Sequence, residues 1–380
     1  MGPKEAFTLK AELEGGSYPI IVGRGVLKEA ASFLTSCTAD RKVLVACDAF
    51  FLNTVAEQLV SELKIKGFQV FLRPIVGGKF HKSLQEAIGL YEVMERNEFA
   101  RDSSLIALGG GVIGDIAGFA AATFLRGINL VHLPTTVTSQ IDSAIGGKVG
   151  INFGNTINAI GTYYHPRGIL IDTTFVEELP KRDFVAGLAE IIKCAIICDP
   201  EFFDYLLNHA EAILRRDSVP LSHVYRRTLE IKLQHVSGDL RDQHQRLRLN
   251  YGHTLGHAIE LTTAGEEEVY RHGEGVALGM YGASYIADEL FGHNGTLSNL
   301  HRTILTRYGL PVHIDLKRAG IDQEAFVQRC LAHVKKDKKR QAMQVRFILP
   351  KTIGDVMIHQ EVPSTIVRRA IEMLCGGSCA

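Results

Sequence analysis

The stretch Ser104-Leu105-Ile106-Ala107-Leu108-Gly109-Gly110-Gly111-Val112-Ile113-Gly114-Asp115 limits the fold of this chain more than any other. A short apolar run of this kind has the length of a buried strand, and it passes directly into three glycines. A small-residue helical segment, Ile116 to Leu125, follows. In such a strand–turn–helix, backbone N–H groups face an anion and the helix dipole favours negative charge. Glycines also mark close helix–sheet packing, so the turn alone leaves a pyrophosphate site and a packing device both open.

The flanking sequence places that turn in an α/β domain. Apolar runs at Lys42–Ala46 and Gln69–Pro74 alternate with amphipathic segments at Thr54–Lys66 and Ser83–Asn97, and further strands are expected at Asn129–Pro134 and Gly168–Asp172. From Val176 the character changes. Asp183–Ile197, Phe202–Arg215, Val224–Gly238, His253–Thr262 and Gly273–Phe291 all carry helical spacing, with Pro180, Pro200, Pro220 and Pro311 between them. The expected architecture is an α/β nucleotide-binding domain with a parallel sheet over residues 1–176, then an all-α domain over 177–380. No internal repeat or low-complexity tract interrupts it.

Composition narrows the function classes. Lys+Arg and Asp+Glu both number 42, so no field of one sign recruits nucleic acid or an acidic membrane. Seven scattered cysteines, several in apolar runs such as that ending in Cys47, point to reduced thiols. Cys194 and Cys198 lie four apart, but no second cysteine or histidine pair adjoins them to complete a metal site. The first sixteen residues lack the apolar core of a signal peptide, and no stretch approaches the roughly 18 apolar residues of a membrane span. A cytoplasmic protein is expected.

A standard Rossmann dehydrogenase would carry GxGxxG after its first strand, whereas here the first clear strand ends in Cys47-Asp48. Asp48 suits ribose hydroxyls, and equally suits an N-cap of the next segment. The run from Pro134 to Lys148, rich in small hydroxyl residues with Asp142 and a glycine pair, has the make-up of a binding loop. The sharper cluster comes later: Glu190 and Lys193 in GLAEIIK, His253 and His257 in NYGHTLGH, and His272 in HGE. Histidines at i and i+4 share a helix face, and the glutamate of a HExxH peptidase is missing. One carboxylate and two histidines with an open position would make a catalytic divalent site, with zinc the first choice. Spacing alone does not decide which histidines ligate.

Taken together, GGGVIGD, Leu125-Arg126-Gly127, Pro134-Thr135-Thr136, Asp142 to Lys148 (DSAIGGK), GLAEIIK, Leu249 to Glu260 (LNYGHTLGHAIE) and HGE resemble the dehydroquinate synthase family of sugar-phosphate cyclases over about residues 40–350. The resemblance implies an NAD-binding α/β domain and a helical domain for metal and substrate. It implies cofactor contacts at Asp48, Lys82, Gly110, Gly111, Val112, Gly114, Asp115, Thr135, Thr136, Asp142 and Lys148. Glu190, His253 and His272 become the ligands of zinc or cobalt, and His257 a substrate contact. Asp142, Lys148, Asn158, Lys193, Lys232, Arg246 and Asn250 match substrate-binding positions. Arg126 is expected to reach a neighbouring subunit's site, which implies a homodimer. A further basic residue, Lys338 of Asp337-Lys338-Lys339, would by itself have passed for a solvated charge run.

The implied reaction converts 3-deoxy-arabino-heptulosonate 7-phosphate to dehydroquinate and phosphate. NAD oxidises a hydroxyl transiently, phosphate is eliminated, the hydride is returned, and the ring recloses by an internal aldol addition. Two positions depart from the family pattern: Lys79 replaces the acid of GExxK, and Ile157 replaces the lysine of GKN. Either the two changes compensate each other across the cofactor, or Lys79 accepts a 2′-phosphate and admits NADP. Asn250 with Arg246 suits a substrate carboxylate, where relatives acting on sedoheptulose 7-phosphate or glucose 6-phosphate tend to carry an acid. The rival readings are another cyclase of specialised metabolism, including one using an amino analogue, an iron-type alcohol dehydrogenase, and a binding protein without turnover.

Overall fold

The computed structural model describes residues 6–78, 81–154, 156–264, 268–340, 346–359 and 362–376, with side chains outside the description at 336–340. The chain forms two compact units. The first runs to Leu179 and takes back Val236–Leu240; the second holds Pro180–His235 and the chain from Arg241 onward.

Among the described residues the first unit contains nine strands: β1 (Phe7–Leu13), β2 (Gly16–Gly23), β3 (Lys42–Asp48), β4 (Gln69–Ile75), β5 (Ser104–Gly109), β6 (Asn129–Pro134), β7 (Lys148–Phe153), β8 (Thr156–Tyr163) and β9 (Gly168–Asp172). Seven of them form one sheet in the order β1-β2-β9-β6-β5-β3-β4, parallel except for the β1–β2 hairpin. Its helices are α1 (Ala30–Cys37), α2 (Val55–Ile65), α3 (Leu84–Arg96), α4 (Gly111–Thr123) and α5 (Phe175–Glu178). Alternation along β3 divides the core: Val43, Val45 and Cys47 pack with Leu59 and Leu63 of α2, while Leu44 and Ala46 pack with Leu90 of α3 and Ile116 of α4. Burying each of those leucines contributes about 1.5–3 kcal/mol.

Because β4 and β5 pair with opposite edges of β3, the connections diverge there, and the crevice beyond the carboxyl ends of β3 and β5 is a topological switch point. Asp48 ends one strand and Gly109 the other. The β1–β2 hairpin, turning at Gly15 with φ 89°, and the separate β7–β8 hairpin add to the strands expected from the sequence. The returning segment is tied in by Ser237 Oγ, which donates to the Glu12 carbonyl at 3.1 Å.

The second unit is helical: α6 (Lys181–Cys198), α7 (Pro200–Asn208), α8 (Ala210–Leu214), α9 (Ser218–Val236, its last residue grouped with the first unit), α10 (His253–Thr262), α11 (His272–Phe291), α12 (Thr296–Arg307), α13 (Leu316–Ala319), α14 (Gln323–Arg340) and α15 (Ser364–Leu374). A hairpin of β10 (Phe347–Thr352) with β11 (Asp355–His359) corrects the all-helical expectation. The helix expected over Phe202–Arg215 is two helices that break at His209. No helix among the described residues is long and apolar enough to cross a membrane.

Candidate cofactor and metal sites

In the first unit the glycine turn sits at the switch-point crevice. Gly110 caps α4 without a side chain, so the first-turn N–H groups carry no side-chain cap. A Cβ on Gly111 would come within 2.9 Å of Ser143 Oγ, and one on Gly110 within 3.3 Å of Thr136 Cγ2. The turn and the loop after β6 therefore face each other across a space that larger residues would close. That loop is held by Ser139, whose Oγ accepts from the Thr136 N–H at 3.0 Å, before a π-helical turn, Ser139–Ser143, presents Asp142.

Beside the turn, buried Lys82 donates through Nζ to Asp115 Oδ2 and to Asn158 Oδ1. Burial pushes the Asp115 carboxyl up, Lys82 opposes that, and Asp142 adds to the rise. Asn158, at φ 52°, is fixed by its N–H donating to Asn152 Oδ1 at 2.9 Å. The structure thus joins Asn158, matched to the substrate, to Lys82, matched to the cofactor, which also holds Asp115. Asp48 Oδ1 accepts from the Phe50 N–H at 3.0 Å as an N-cap, while Oδ2 lies 2.7 Å from where a Gly77 Cβ would stand. Capping occupies one oxygen, so the two readings of Asp48 are compatible. Thr135 is buried, Lys148 is exposed, Ile157 is 47 % exposed on β8, and Lys79 lies outside the described residues.

The second unit builds its centre from glycine-mediated helix contacts. A Cβ on Gly279 of α11 would lie 1.9 Å from the Gly252 carbonyl oxygen, and one on Gly256 of α10 would lie 2.8 Å from that of Gly275. On the other side of α11, a Cβ on Gly273 would lie 1.8 Å from the Ala186 carbonyl oxygen of α6. Three backbones therefore approach more closely than side chains allow, and Glu190, His253 and His272 offer donor atoms all within 4.8 Å of one another. His272 Nε2 is 3.4 Å and His253 Nε2 3.7 Å from Glu190 Oε1.

The other ring nitrogens set the tautomers. His253 Nδ1 lies 3.1 Å from the Tyr251 carbonyl, and His272 Nδ1 3.1 Å from Glu260 Oε1. Carbonyl and carboxylate oxygens only accept, so both Nδ1 atoms carry hydrogen and both Nε2 atoms face Glu190. Arg182 bonds both Glu274 oxygens, and Glu274 accepts from the Arg271 N–H, which holds the start of α11 in place.

Burial works against the charge on Glu190, but Lys193, then His272 and His253, hold its carboxyl well below the usual range. Burial and Lys193 keep His253 neutral, whereas Glu190 and Glu260 overcome burial at His272 and raise it to about 10. A cation binding there would displace the second proton from the His272 ring. Neither Glu190 oxygen receives a well-directed hydrogen bond, although Lys193 Nζ stands against Oε2 as an ion pair. A 1 % exposed carboxylate with both oxygens in that state, faced by two Nε2 atoms, fits a divalent cation of the zinc or cobalt kind.

His257 is exposed one turn along α10, its ring 5.2 Å from that of His253, and with Glu260 and His272 it forms a second donor cluster. Lys232 and Arg246 are buried, Arg246 pairing with Asp242 at 2.8 Å, and Asn250 is half-buried just before α10. Arg126 is exposed at φ 66°, directly after Leu125 at φ 50°. The side chain of Lys338 lies outside the description. Cys194 and Cys198 are not joined in a disulfide. Reasoning from the sequence singled out neither Glu260 nor Tyr251 as orienting groups. Glu260 stands on α10 and His272 on α11, so no local spacing links them, and only the folded pairing exposes the role of the acid.

Comparison with known proteins identifies the family. The 3-dehydroquinate synthase N-terminal family model matches residues 73–186 and the C-terminal model residues 187–340. The 3-dehydroquinate synthase of Crocosphaera subtropica is 38% identical over 367 residues, covering 96% of this chain and 98% of the relative. That of Desulforamulus reducens is 36% identical over 356 residues, covering 93% and 96%. Among solved structures, the 2-epi-5-epi-valiolone synthase of Streptomyces hygroscopicus, with NAD+ and Zn2+ bound, is 26% identical with a TM-score of 0.84, covering 96% of this chain and 98% of its own. A 2-deoxy-scyllo-inosose synthase in complex with carbaglucose-6-phosphate, NAD+ and Co2+ has the same TM-score at 24% identity, covering 97% and 99%, and shares the fold. An iron-containing alcohol dehydrogenase follows at 0.67 and 12% identity, covering 94% and 97%. This chain belongs to the 3-dehydroquinate synthase family.

Proposed function

We propose that this protein is a 3-dehydroquinate synthase, a lyase-type cyclase that releases phosphate from 3-deoxy-arabino-heptulosonate 7-phosphate and closes the carbocycle. The observation that carries this reading is the Glu190–His253–His272 centre, with each Nδ1 engaged and each Nε2 directed to one buried carboxylate, in a chain of this family. When bound, NAD would accept and return a hydride, and the divalent ion would act as a Lewis acid. The protein's own groups do the rest. Glycines 110 and 111 leave room for the pyrophosphate at the start of α4, and Asp48 takes ribose hydroxyls. Lys148, Lys193, Lys232 and Arg246 supply charge-assisted hydrogen bonds to the phosphate and carboxylate of the substrate. Asn250 in place of an acid keeps the carboxylate end free of repulsion, which favours the heptulosonate over sedoheptulose 7-phosphate or glucose 6-phosphate. Asp142, Asn158, His257 and Lys338 complete the substrate contacts.

In this reading the enzyme acts as a cytoplasmic homodimer, with Arg126, exposed on its turn and so able to meet another chain, reaching the partner's site. The test is phosphate release by purified protein supplied with zinc or cobalt, NAD and the heptulosonate phosphate, with sedoheptulose 7-phosphate run alongside. Metal- and NAD-dependent release, dehydroquinate as product and no net NADH are expected. Turnover of sedoheptulose 7-phosphate alone would move the assignment to another cyclase. Net NADH from an alcohol would move it to the alcohol dehydrogenases that share the fold.

A further inference from the structure

Strand β6 carries His132 into the glycine-turn pocket, where its ring lies 3.5 Å from the position of a Cβ on Gly114. The side chain is 5 % exposed, and among the described residues neither ring nitrogen has a hydrogen-bond partner. Neither nitrogen is sealed in the core: both reach the open space of the pocket, where a ligand or an ordered water can meet them. The same pocket is lined by Gly110, Gly114, Asp115, Ser139, Ser143 and Lys148, so the ring stands among the groups already matched to the dinucleotide.

We propose that His132 is a further cofactor-binding residue, whose ring hydrogen-bonds a neutral polar group of the bound dinucleotide. This rests on the NAD-dependent reading above. Burial depresses the imidazole to about 4, so at neutral pH the ring is uncharged and offers one donor and one acceptor. An uncharged imidazole in a pocket that also holds the Asp115 carboxyl is poorly matched to a phosphate and well matched to a ribose hydroxyl or the nicotinamide carboxamide, each of which both donates and accepts. Gly110 and Gly111, at the helix start, remain the phosphate cradle.

The variants that separate this from a packing role are His132→Phe, which keeps a ring of similar outline without nitrogens, and His132→Gln, which restores a donor and an acceptor. Affinity for NAD and for ADP-ribose is measured by calorimetry on the metal-loaded protein without substrate, beside the melting midpoint without nucleotide. His132→Phe should raise the Kd for NAD roughly tenfold, His132→Gln should stay within about threefold of wild type, and neither midpoint should fall, because no protein hydrogen bond is lost. Weakened NAD binding with normal ADP-ribose binding identifies the carboxamide; equal weakening of both identifies a ribose hydroxyl. Unchanged NAD affinity in His132→Phe overturns the proposal, as does a loss of affinity that merely follows a lowered midpoint. If the wild type binds no NAD, the cofactor reading itself fails and this inference falls with it.

Discussion

Replacing Gly279 by alanine tests whether glycine-mediated helix packing builds the metal centre. On intrinsic helix propensity alone, alanine in α11 stabilises by about 1 kcal/mol. The structure gives the opposite sign. The new Cβ would stand 1.9 Å from the Gly252 carbonyl oxygen and 2.7 Å from the Gly256 N, both backbone atoms that no rotamer change can move aside. Restoring an ordinary contact of about 3.4 Å requires α10 and α11 to part by about 1.5 Å. His253 follows Gly252 directly, and a zinc–nitrogen bond of about 2.0–2.1 Å tolerates only about 0.2 Å of error. The expected outcome is a loss of about 2 kcal/mol of stability, a melting midpoint lower by roughly 4–8 °C, and metal content well below one ion per chain after dialysis. Elemental analysis with a thermal melt of metal-free protein reads both. A variant that keeps its metal and melts at or above the wild-type midpoint would refute the link between these glycines and the site.

Glu260→Gln, which keeps an acceptor but removes the charge behind His272 Nδ1, should weaken zinc binding by at least about tenfold in competition with a chelator; unaltered affinity would remove Glu260 from the centre. Gly275→Ala, whose Cβ would come within 2.8 Å of Glu260 Oε1, should copy that loss with little change in melting, since a flexible side chain can yield. His272→Ala should abolish metal binding while leaving far-UV circular dichroism intact; a normal metal content would displace His272 as a ligand. His132 is held neutral in the fold at about 4, below its unfolded value near 6.5, so the unfolded chain binds the extra proton first. Its contribution is therefore present above pH 6.5 and lost as pH falls towards 4. Between pH 7 and pH 5 the wild type should lose about 2 kcal/mol more unfolding free energy than His132→Phe, and equal losses would contradict the buried neutral ring.

Five of the seven strands of the central sheet were legible because they are short apolar runs ended by glycine, proline or aspartate, as in Ser104–Gly109 and Asn129–Pro134, and because the segments between them carry helical periodicity, while the β1–β2 hairpin was missed. The β7–β8 hairpin was not legible either. Most of β8 is exposed, so no buried face stamps alternation on Thr156–Tyr163. The break at His209 was equally invisible, since apolar spacing runs on across it from Phe202 and Phe203 to Ala210 and Ile213. In the metal centre, the spacing of His253 and His257 placed two rings on one helix face, but His257, Glu260 and His272 form a donor cluster of their own. Which set closes on Glu190 depends on how near three helices approach, and that distance is set by glycines whose partners lie far away in sequence.

His132 and His301 show why burial and protonation alone do not reveal a functional histidine. Both are at least 95 % buried, and burial depresses both to about 4. At His301, Nδ1 donates to the Leu297 carbonyl at 2.7 Å, which leaves Nε2 to accept from the Tyr251 hydroxyl at 2.7 Å. Every polar atom of that ring is accounted for within the protein, so its neutrality is a consequence of packing and calls for no ligand. The ring of His132 has the same neutrality without those partners among the described residues, in a pocket that opens on the glycine turn. In the sequence each is a lone histidine among apolar neighbours. Only the inventory of hydrogen bonds separates a residue that completes the core from one whose bonding capacity is left for something the protein binds.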